Sequence, residues 1–268
     1  MPESVFRSVR PTSPVAGYVG GKRRLAARII ERIEQIPHDL YAEPFVGMGG
    51  VFLRRSVAPR VEVINDISTD VATFFRVLQR HYVAFLELMR FQITSRQEFE
   101  RLCATDPSTL TDLERAARFA YLQRTAFGGK VVGRTFGVDS RASGRFNVTR
   151  LAPLLEELHE RLAGVVIECL PYEAFLTRYD RPGALFYLDP PYWGSEGHYG
   201  PVFGKGDFER LAAQLAGLKG VWLLSLNDAP EIRETFRGFR MEEVETTYSL
   251  RGAGRSPKPA AELLISPG

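Results

Sequence analysis

Cysteine is scarce. The 268 residues contain two, Cys103 and Cys169. Neither has a Cys or His neighbour at ligand spacing, so the sequence predicts no disulfide framework and no metal site, and a reducing cytoplasm as the compartment. Long apolar runs are also missing. No stretch approaches the ~18 residues that a membrane span needs, so no membrane partner is expected. Met1 to Ser13 carries charges with no apolar core behind them, which predicts a loose polar tail and no signal peptide. Internal repeats and low-complexity segments are absent. Acid is nearly absent from one stretch: between Arg115 and Arg150, eight Arg or Lys face a single acid, Asp139. The chain as a whole is only +3, so the remainder is net acidic. Such a block is the footprint of a polyanion, with a solvated surface as the alternative, and it points to nucleic acid. The rest of the composition, 44% hydrophobic and 25% charged, is that of an ordinary globular protein. The length suits one large α/β domain, or one domain with a sizeable insertion.

The most informative stretch is Leu185-Phe186-Tyr187-Leu188-Asp189-Pro190-Pro191-Tyr192-Trp193. Its apolar half suits a buried strand of a parallel sheet. Two prolines then stop the strand and stiffen the backbone. Asp189 is thereby set at the carboxyl end of a strand, where open α/β sheets bind ligands. A carboxylate and the carbonyls beside prolines accept hydrogen bonds, so together they can hold an exocyclic amine by both hydrogens. The amine of a nucleobase is a weak nucleophile, and such contacts return electron density to its nitrogen. Tyr192 offers a face for the base. A strand end with a Pro-rich turn explains the tetrapeptide Asp-Pro-Pro-Tyr equally well, so the rest of the chain decides.

Pro14 to Lys22 leads through Gly20-Gly21 into a helix with Leu25, Ile29, Ile33 and Ile36 on one face, stopped by Pro37. Free N–H groups there can hold an anion, with Lys22 adding charge; a plain helix-entry turn is the alternative. A short strand ends at Glu43. Gly47, Gly49 and Gly50 follow and predict a turn into a helix. A second strand, Val61 to Ile64, ends in Asn65-Asp66. Asp66 lies about 20 residues past the glycines, where nucleotide-binding units place the acid that holds ribose hydroxyls. With Ser68 so near, Asp66 also fits a turn or helix cap. From Ser68 to Arg124 the pattern is helical, with capping-box pairs Ser95/Glu98 and Thr111/Glu114. This breaks the strand–helix alternation and suggests an inserted lobe. Residues 126–146, rich in Gly, Arg and Phe, read as a loop or β-hairpin whose cations meet phosphates. The alternation then resumes: a helix from near Pro153, a strand Val165–Cys169, a short helix, the Asp189 strand, a helix capped by Asp207, a strand Val221–Leu226, a helix from Pro230, and two strands, about 241–248 and 261–266. A basic Gly/Pro loop with Arg251, Arg255 and Lys258 joins the last two.

In this order the stretches resemble the Dam-like DNA adenine-N6 methyltransferases over nearly the whole chain after residue 13. Tyr18-Val19-Gly20-Gly21-Lys22 is similar to the family's aromatic-x-Gly-Gly-Lys element. Glu43-Pro44-Phe45-Val46-Gly47-Met48-Gly49-Gly50 resembles its methionine-binding motif, Asn65-Asp66 its ribose acid, and Asp189-Pro190-Pro191-Tyr192 its catalytic motif. Arg145-Phe146-Asn147-Val148 looks like the end of its DNA-reading hairpin, while Ser225-Leu226-Asn227-Asp228 and Glu262-Leu263-Leu264-Ile265 resemble later strands. The family often has Trp at the place of Tyr18, and Asp-Phe at the place of Pro171-Tyr172. Here Tyr172 supplies the aromatic face for the cofactor adenine, and Glu173 is the nearest acid. The resemblance implies a Rossmann-like α/β fold of about seven mostly parallel strands, the last one antiparallel. The catalytic part is expected at 14–76 and 149–268, and a helical and hairpin target-recognition lobe at 77–148. It implies S-adenosyl-L-methionine as cofactor, on Tyr18, Lys22, Glu43, Pro44, Phe45, Gly47, Gly49, Asp66, Tyr172 and Asp189, and a flipped adenine on Asp189, Pro190, Pro191 and Tyr192. Double-stranded DNA is expected on Arg124, Lys130, Arg134, Arg141 and Arg145. A restriction endonuclease acting on the same site is a further expected partner. Cytosine-N4 methylation and a catalytically inactive DNA-binding protein are the alternatives. The family's N4 relatives usually carry Ser where Asp189 stands.

Overall fold

The computed structural model describes residues 6–18, 20–22, 24–138, 143–198, 202–248 and 258–268. Chain order runs β1 (Arg7–Ser8), α1 (Ala26–Glu34), β2 (Leu40–Glu43), β3 (Val57–Ala58), β4 (Val61–Asn65), α2 (Thr69–Met89), α3 (Arg96–Ala104), α4 (Asp112–Thr125) and α5 (Val148–Arg161). It continues β5 (Val166–Glu168), α6 (Tyr172–Tyr179), β6 (Ala184–Leu188), α7 (Lys205–Ala216), β7 (Val221–Asn227), α8 (Pro230–Thr235), β8 (Arg240–Tyr248) and β9 (Lys258–Ser266). Seven strands form one sheet in the order β5-β4-β2-β6-β7-β9-β8. The first five are parallel, and β9 runs antiparallel to both of its neighbours. This is the expected Rossmann-like methyltransferase arrangement.

Successive side chains of a strand point to opposite faces, and helices cover both faces of this sheet, so a central strand such as β6 is apolar on both. On β6, Leu185 and Tyr187 join the core under α1, α2, α4 and α5, while Ala184, Phe186 and Leu188 join the core under α6, α7 and α8. All five residues are buried. The helical segment is part of this packing. Phe74, Phe85, Phe99 and Phe119 share the first core with Ile29, Tyr41 and Leu185. α2 is one helix across the boundary expected at 76/77, and departs from helical geometry at His81 (φ −128°, ψ 30°).

Three local expectations change, and one open alternative, loop or hairpin, is decided. The glycine turn leads only to a short 3₁₀ turn at Phe52–Arg54, because the few residues before β4 include β3, which β1 takes up in a separate two-stranded sheet. α5 starts at Val148, where the Asn147 side chain accepts the Thr149 N–H (3.0 Å), so Pro153 lies inside the helix. Gly204 occupies the cap of α7, and Asp207, in the first turn, accepts its N–H (2.8 Å). Residues 126–136 form a loop closed by a single antiparallel bridge, Ala126 to Phe136, not a regular hairpin.

Candidate active site

β2 and β6 are parallel neighbours with Leu40 opposite Ala184 and Ala42 opposite Phe186. The chain leaves β2 for β4 and β5 on one side and reaches β6 and β7 on the other. The strand order therefore reverses between β2 and β6, the place where open α/β sheets form a ligand crevice. A cavity of ≈ 570 Å³ lies there, with Glu43, Asp66 and Asp189 in its wall. Tyr18, Lys22, Phe45, Gly47 and Pro191 line it too.

Glu43 ends β2 and is 2% exposed. The Tyr41 hydroxyl donates to its Oε2 (2.8 Å). Burial, reinforced by Asp189 and opposed by the Tyr41 bond, pushes the Glu43 carboxyl up to about 8. Past it, Gly47 takes φ +50°, and a Cβ there would stand 3.1 Å from the Tyr18 ring. Only glycine serves both demands. Gly49 (φ +76°) lies behind the wall, where a Cβ would meet Leu53 at 2.8 Å. Asp66 ties the glycine turn to β4: its Oδ2 accepts the Gly47 N–H and its Oδ1 the Ser68 N–H, each at 2.9 Å. Burial raises this carboxyl to about 6 against those two bonds. Asp66 is thus a turn residue and lines the cavity as well. Its neighbour Asn65 donates to the carbonyls of Pro44 (2.9 Å) and Leu170 (3.0 Å) and accepts the Leu170 N–H (2.8 Å). One buried amide thereby joins the loops after β2, β4 and β5.

Lys22 is 3% exposed, and its ammonium reaches the heart of the site. Nζ lies 2.5 Å from Asp189 Oδ1 and donates to the Tyr192 hydroxyl at 2.5 Å. Ser225 donates to the same Asp189 oxygen (3.2 Å) and is hydrogen-bonded to Tyr187 (2.9 Å). Both contacts fall on Oδ1; among the described residues Oδ2 takes no hydrogen bond. Burial raises the Asp189 carboxyl to about 6, with Lys22 holding it down and Glu262 pushing it up. Tyr192 is half-buried, with Lys22 Nζ 4.2 Å from its ring centre.

Three aromatics close one end. Phe45 and Phe203 line the cavity, and Tyr172 packs behind both, at 5.5 Å and 5.7 Å between ring centres. Tyr172 is buried, and its hydroxyl points at Asp207 (3.3 Å). Glu173 faces Arg210 (4.0 Å) on the surface. Arg54 and Phe203, which also line the cavity, carry no motif. Ser225, behind Asp189, opens a stretch that resembles a later strand of the family, but nothing in the sequence assigns it a role at the site. Their signal was position alone, at the ends of elements already leading to the site.

The family model of D12 class N6 adenine-specific DNA methyltransferases matches residues 18–250, most of the chain. The chain belongs to this family. The Type II methyltransferase M1.LlaDCHI of Lactococcus lactis subsp. cremoris is 24% identical to it over 273 residues, covering 94% of each chain. The DNA adenine methylase of Salmonella typhi is 23% identical over 269 residues, covering 92% of each. The DNA N-6-adenine-methyltransferase of Escherichia phage P1 is 27% identical over 98% of this chain, which spans 37% of the phage protein. The activity is adenine-specific methylation of DNA. Among the described residues no helix is long and apolar enough to cross a membrane.

The basic residues of the methyltransferase fall into different settings. Arg124 lines the cavity from α4 and donates to the carbonyls of Val15 and Arg145. It was expected at the DNA, yet its guanidinium clasps two loops. Arg145 donates to the Ala126 carbonyl (3.1 Å) and leaves no room for a side chain at Gly137. Arg134 is half-buried, its Nε without a partner among the described residues. Lys130 is exposed. Arg141 and the loop with Arg251 and Arg255 lie outside the described residues, and Lys258 is described only as backbone.

Proposed function

We propose that the methyltransferase uses S-adenosylmethionine, held in the cavity between β2 and β6, to methylate N6 of an adenine turned out of double-stranded DNA onto Asp189 and Tyr192. The observation that carries this reading is the convergence of Glu43, Asp66 and Asp189 on one cavity of ≈ 570 Å³. That volume suits a small-molecule ligand. The donor set suits this cofactor: carboxylates for an ammonium, a sulfonium and ribose hydroxyls, aromatic faces for a base, and Arg54 for a carboxylate. The absent Cβ at Gly47 leaves the backbone open to a ligand beneath Tyr18.

S-adenosylmethionine supplies an electrophilic methyl group. The chain's residues supply the rest. Glu43 receives the cofactor's ammonium, and Asp66, already bonded to two N–H groups, keeps lone pairs for ribose hydroxyls. Tyr18, Phe45 and Lys22 flank it. Tyr172 acts through Phe45 rather than by direct contact, and Pro44 and Gly49 hold the turn's shape. Asp189 Oδ2 and the Pro190 carbonyl accept the two N6 hydrogens and keep electron density on nitrogen. Pro191 stiffens that loop. Tyr192 takes the face of the base, offsetting part of the few kcal/mol that unstacking costs. Asp189 then receives the proton that N6 sheds. Fixed acceptors of this kind need no reorganisation during the reaction. Residues 77–148 read the target on this proposal, and 14–76 with 149–268 perform the transfer. The setting is the cytoplasm. The Type II relatives support an endonuclease of the same site as partner.

The test is Asp189→Ala. Methyl transfer to DNA is expected to vanish while calorimetry still detects S-adenosylmethionine binding. Near-normal turnover by this variant would overturn the mechanism.

A further inference from the structure

We infer that Glu262, on β9, is a positioning residue of the methyl-transfer site: it orients the Tyr192 phenol and the Lys22 ammonium so that tyrosine face and Asp189 carboxylate meet the target base together. This rests on the reading proposed above. Glu262 is 1% exposed and sits in a strand otherwise continued by Leu263, Leu264 and Ile265. An apolar residue would satisfy the fold there, and a buried carboxylate is costly unless paired. Its contacts lead to the reaction centre. It accepts the Tyr192 hydroxyl and lies 3.7 Å from Lys22 Nζ.

The register adds a second observation. Glu262 is the cross-strand partner of Asn227 on β7. Asn227 accepts the Trp193 N–H (2.9 Å) and donates to the Trp193 carbonyl (3.2 Å). One cross-strand pair therefore grips two successive residues, Tyr192 by side chain and Trp193 by backbone. The prolines stiffen this loop from the other end. The antiparallel strand thus has a task at the site, although it contributes nothing to the cavity wall given above.

Asp189 is faced by Lys22 and Glu262, by Glu43 across the cavity, by Tyr187 and Ser225 beneath, and by Tyr192 through Lys22. Glu262 repels charge on Asp189, so its neutralisation lowers the Asp189 pKa from about 6.

The experiment compares Glu262→Gln, Tyr192→Phe and the double variant in kcat against pH, KM for DNA and cofactor affinity. Glu262→Gln is expected to move the acid limb of kcat to lower pH and to lower kcat about tenfold, because its neutral carbonyl is a weaker acceptor for the Tyr192 phenol and the Lys22 ammonium than a carboxylate. Cofactor affinity should stay near normal. The double variant should be no worse than the poorer single one, because both act through one contact. An unmoved acid limb together with additive losses would reduce Glu262 to a structural residue. Should Glu262→Gln fail to fold, Glu262→Asp is the substitute. It keeps the charge and is too short for the phenol, so it should leave the acid limb in place and still lower kcat; a normal kcat would overturn the inference. Loss of activity in Asp189→Ala beside a normal Glu262→Gln would remove this inference alone. An active Asp189→Ala would remove the mechanism beneath it.

Discussion

Replacing Glu43 with glutamine separates what this residue does for folding from what it does for the cofactor. Its carboxyl titrates at about 8 in the folded protein against an ordinary value of 4.5, chiefly because it is buried. Between those two values the unfolded chain is ionised while the folded chain holds the proton. Unfolding therefore releases a proton, and stability falls as pH rises from 4.5 towards 8. At about 1.4 kcal/mol per unit, the loss between pH 4.5 and 7 comes to ~3 kcal/mol. Glutamine cannot ionise, and its carbonyl can still accept the Tyr41 hydroxyl. The assay is urea unfolding of both proteins between pH 5 and 9, followed by circular dichroism. The variant should gain on the wild type as pH rises, with the difference levelling off above about 8. Asp66 and Asp189, each raised to about 6, give the same slope in both proteins and cancel in the comparison. Parallel curves for the two proteins would refute the reasoning.

Calorimetry of cofactor binding is the other half of this prediction. At pH 7 Glu43 holds its proton in the ligand-free protein, and an ammonium arriving beside it drives that proton off. The binding heat of the wild type should therefore depend on the buffer's ionisation heat. The part due to Glu43 should disappear in the variant, with an affinity loss of roughly 1.5–3 kcal/mol for the missing charged hydrogen bond.

Asp66→Ala should weaken cofactor binding far more than DNA binding, and should also loosen the glycine turn, because the Gly47 and Ser68 N–H groups lose their acceptor; unchanged cofactor affinity by calorimetry would move the ribose site elsewhere. Lys130→Ala should weaken binding to cognate and scrambled duplexes alike and lower the salt slope by about 0.9, whereas Arg124→Ala should lower the unfolding midpoint, because the carbonyls of Val15 and Arg145 lose their donor. Equal effects of these two substitutions on salt slope and on melting would remove the distinction between them.

The strand ends were legible because they are local. A run such as Ala184–Leu188 followed by Asp189 and two prolines can be little else than a buried strand stopped at an acid. Glu43 and Asp66 each stand at a strand end, Glu43 just before the glycines and Asp66 about 20 residues past them. Sheet order does not follow from local pattern, and the family resemblance implied only the number of strands, the antiparallel last one and a cofactor shared by Glu43 and Asp189; the order itself is read from the structure. The missed details are competitions between neighbours. The glycines predict a turn into a helix, but β1, from far upstream in the chain, pairs with β3 just after them. Pro153 looked like a first-turn proline, but Asn147 caps one turn earlier. Asp207, 35 residues from Tyr172 in the chain, lies 3.3 Å from its hydroxyl, a meeting that no local pattern records.

The basic block shows where counting charges loses its force. Its residues were read together as one surface because a sequence records charge and not direction. In the fold they divide. Arg115 pairs with Asp70 at 2.5 Å, and Arg118 is buried with its Nε on the Leu102 carbonyl (2.7 Å). Arg124 and Arg145 donate to backbone carbonyls of neighbouring loops. A guanidinium has five donors in a flat fork, so it can seal loop ends that offer only carbonyls. A lysine's compact, strongly hydrated ammonium is the poorer clasp and stays in water more readily. Lys130 is exposed, as this chemistry favours, and Arg150 at the start of α5 is exposed as well. Arg124 and Arg145 hold the loop at 126–136 against α4 and the N-terminal segment, which is what a loop without regular strands requires before it can present anything to DNA, as proposed for it above. Tests of recognition therefore belong first on Lys130 and Arg134, because loss of DNA binding in Arg124→Ala or Arg145→Ala would report the collapse of the loop as readily as the loss of a contact.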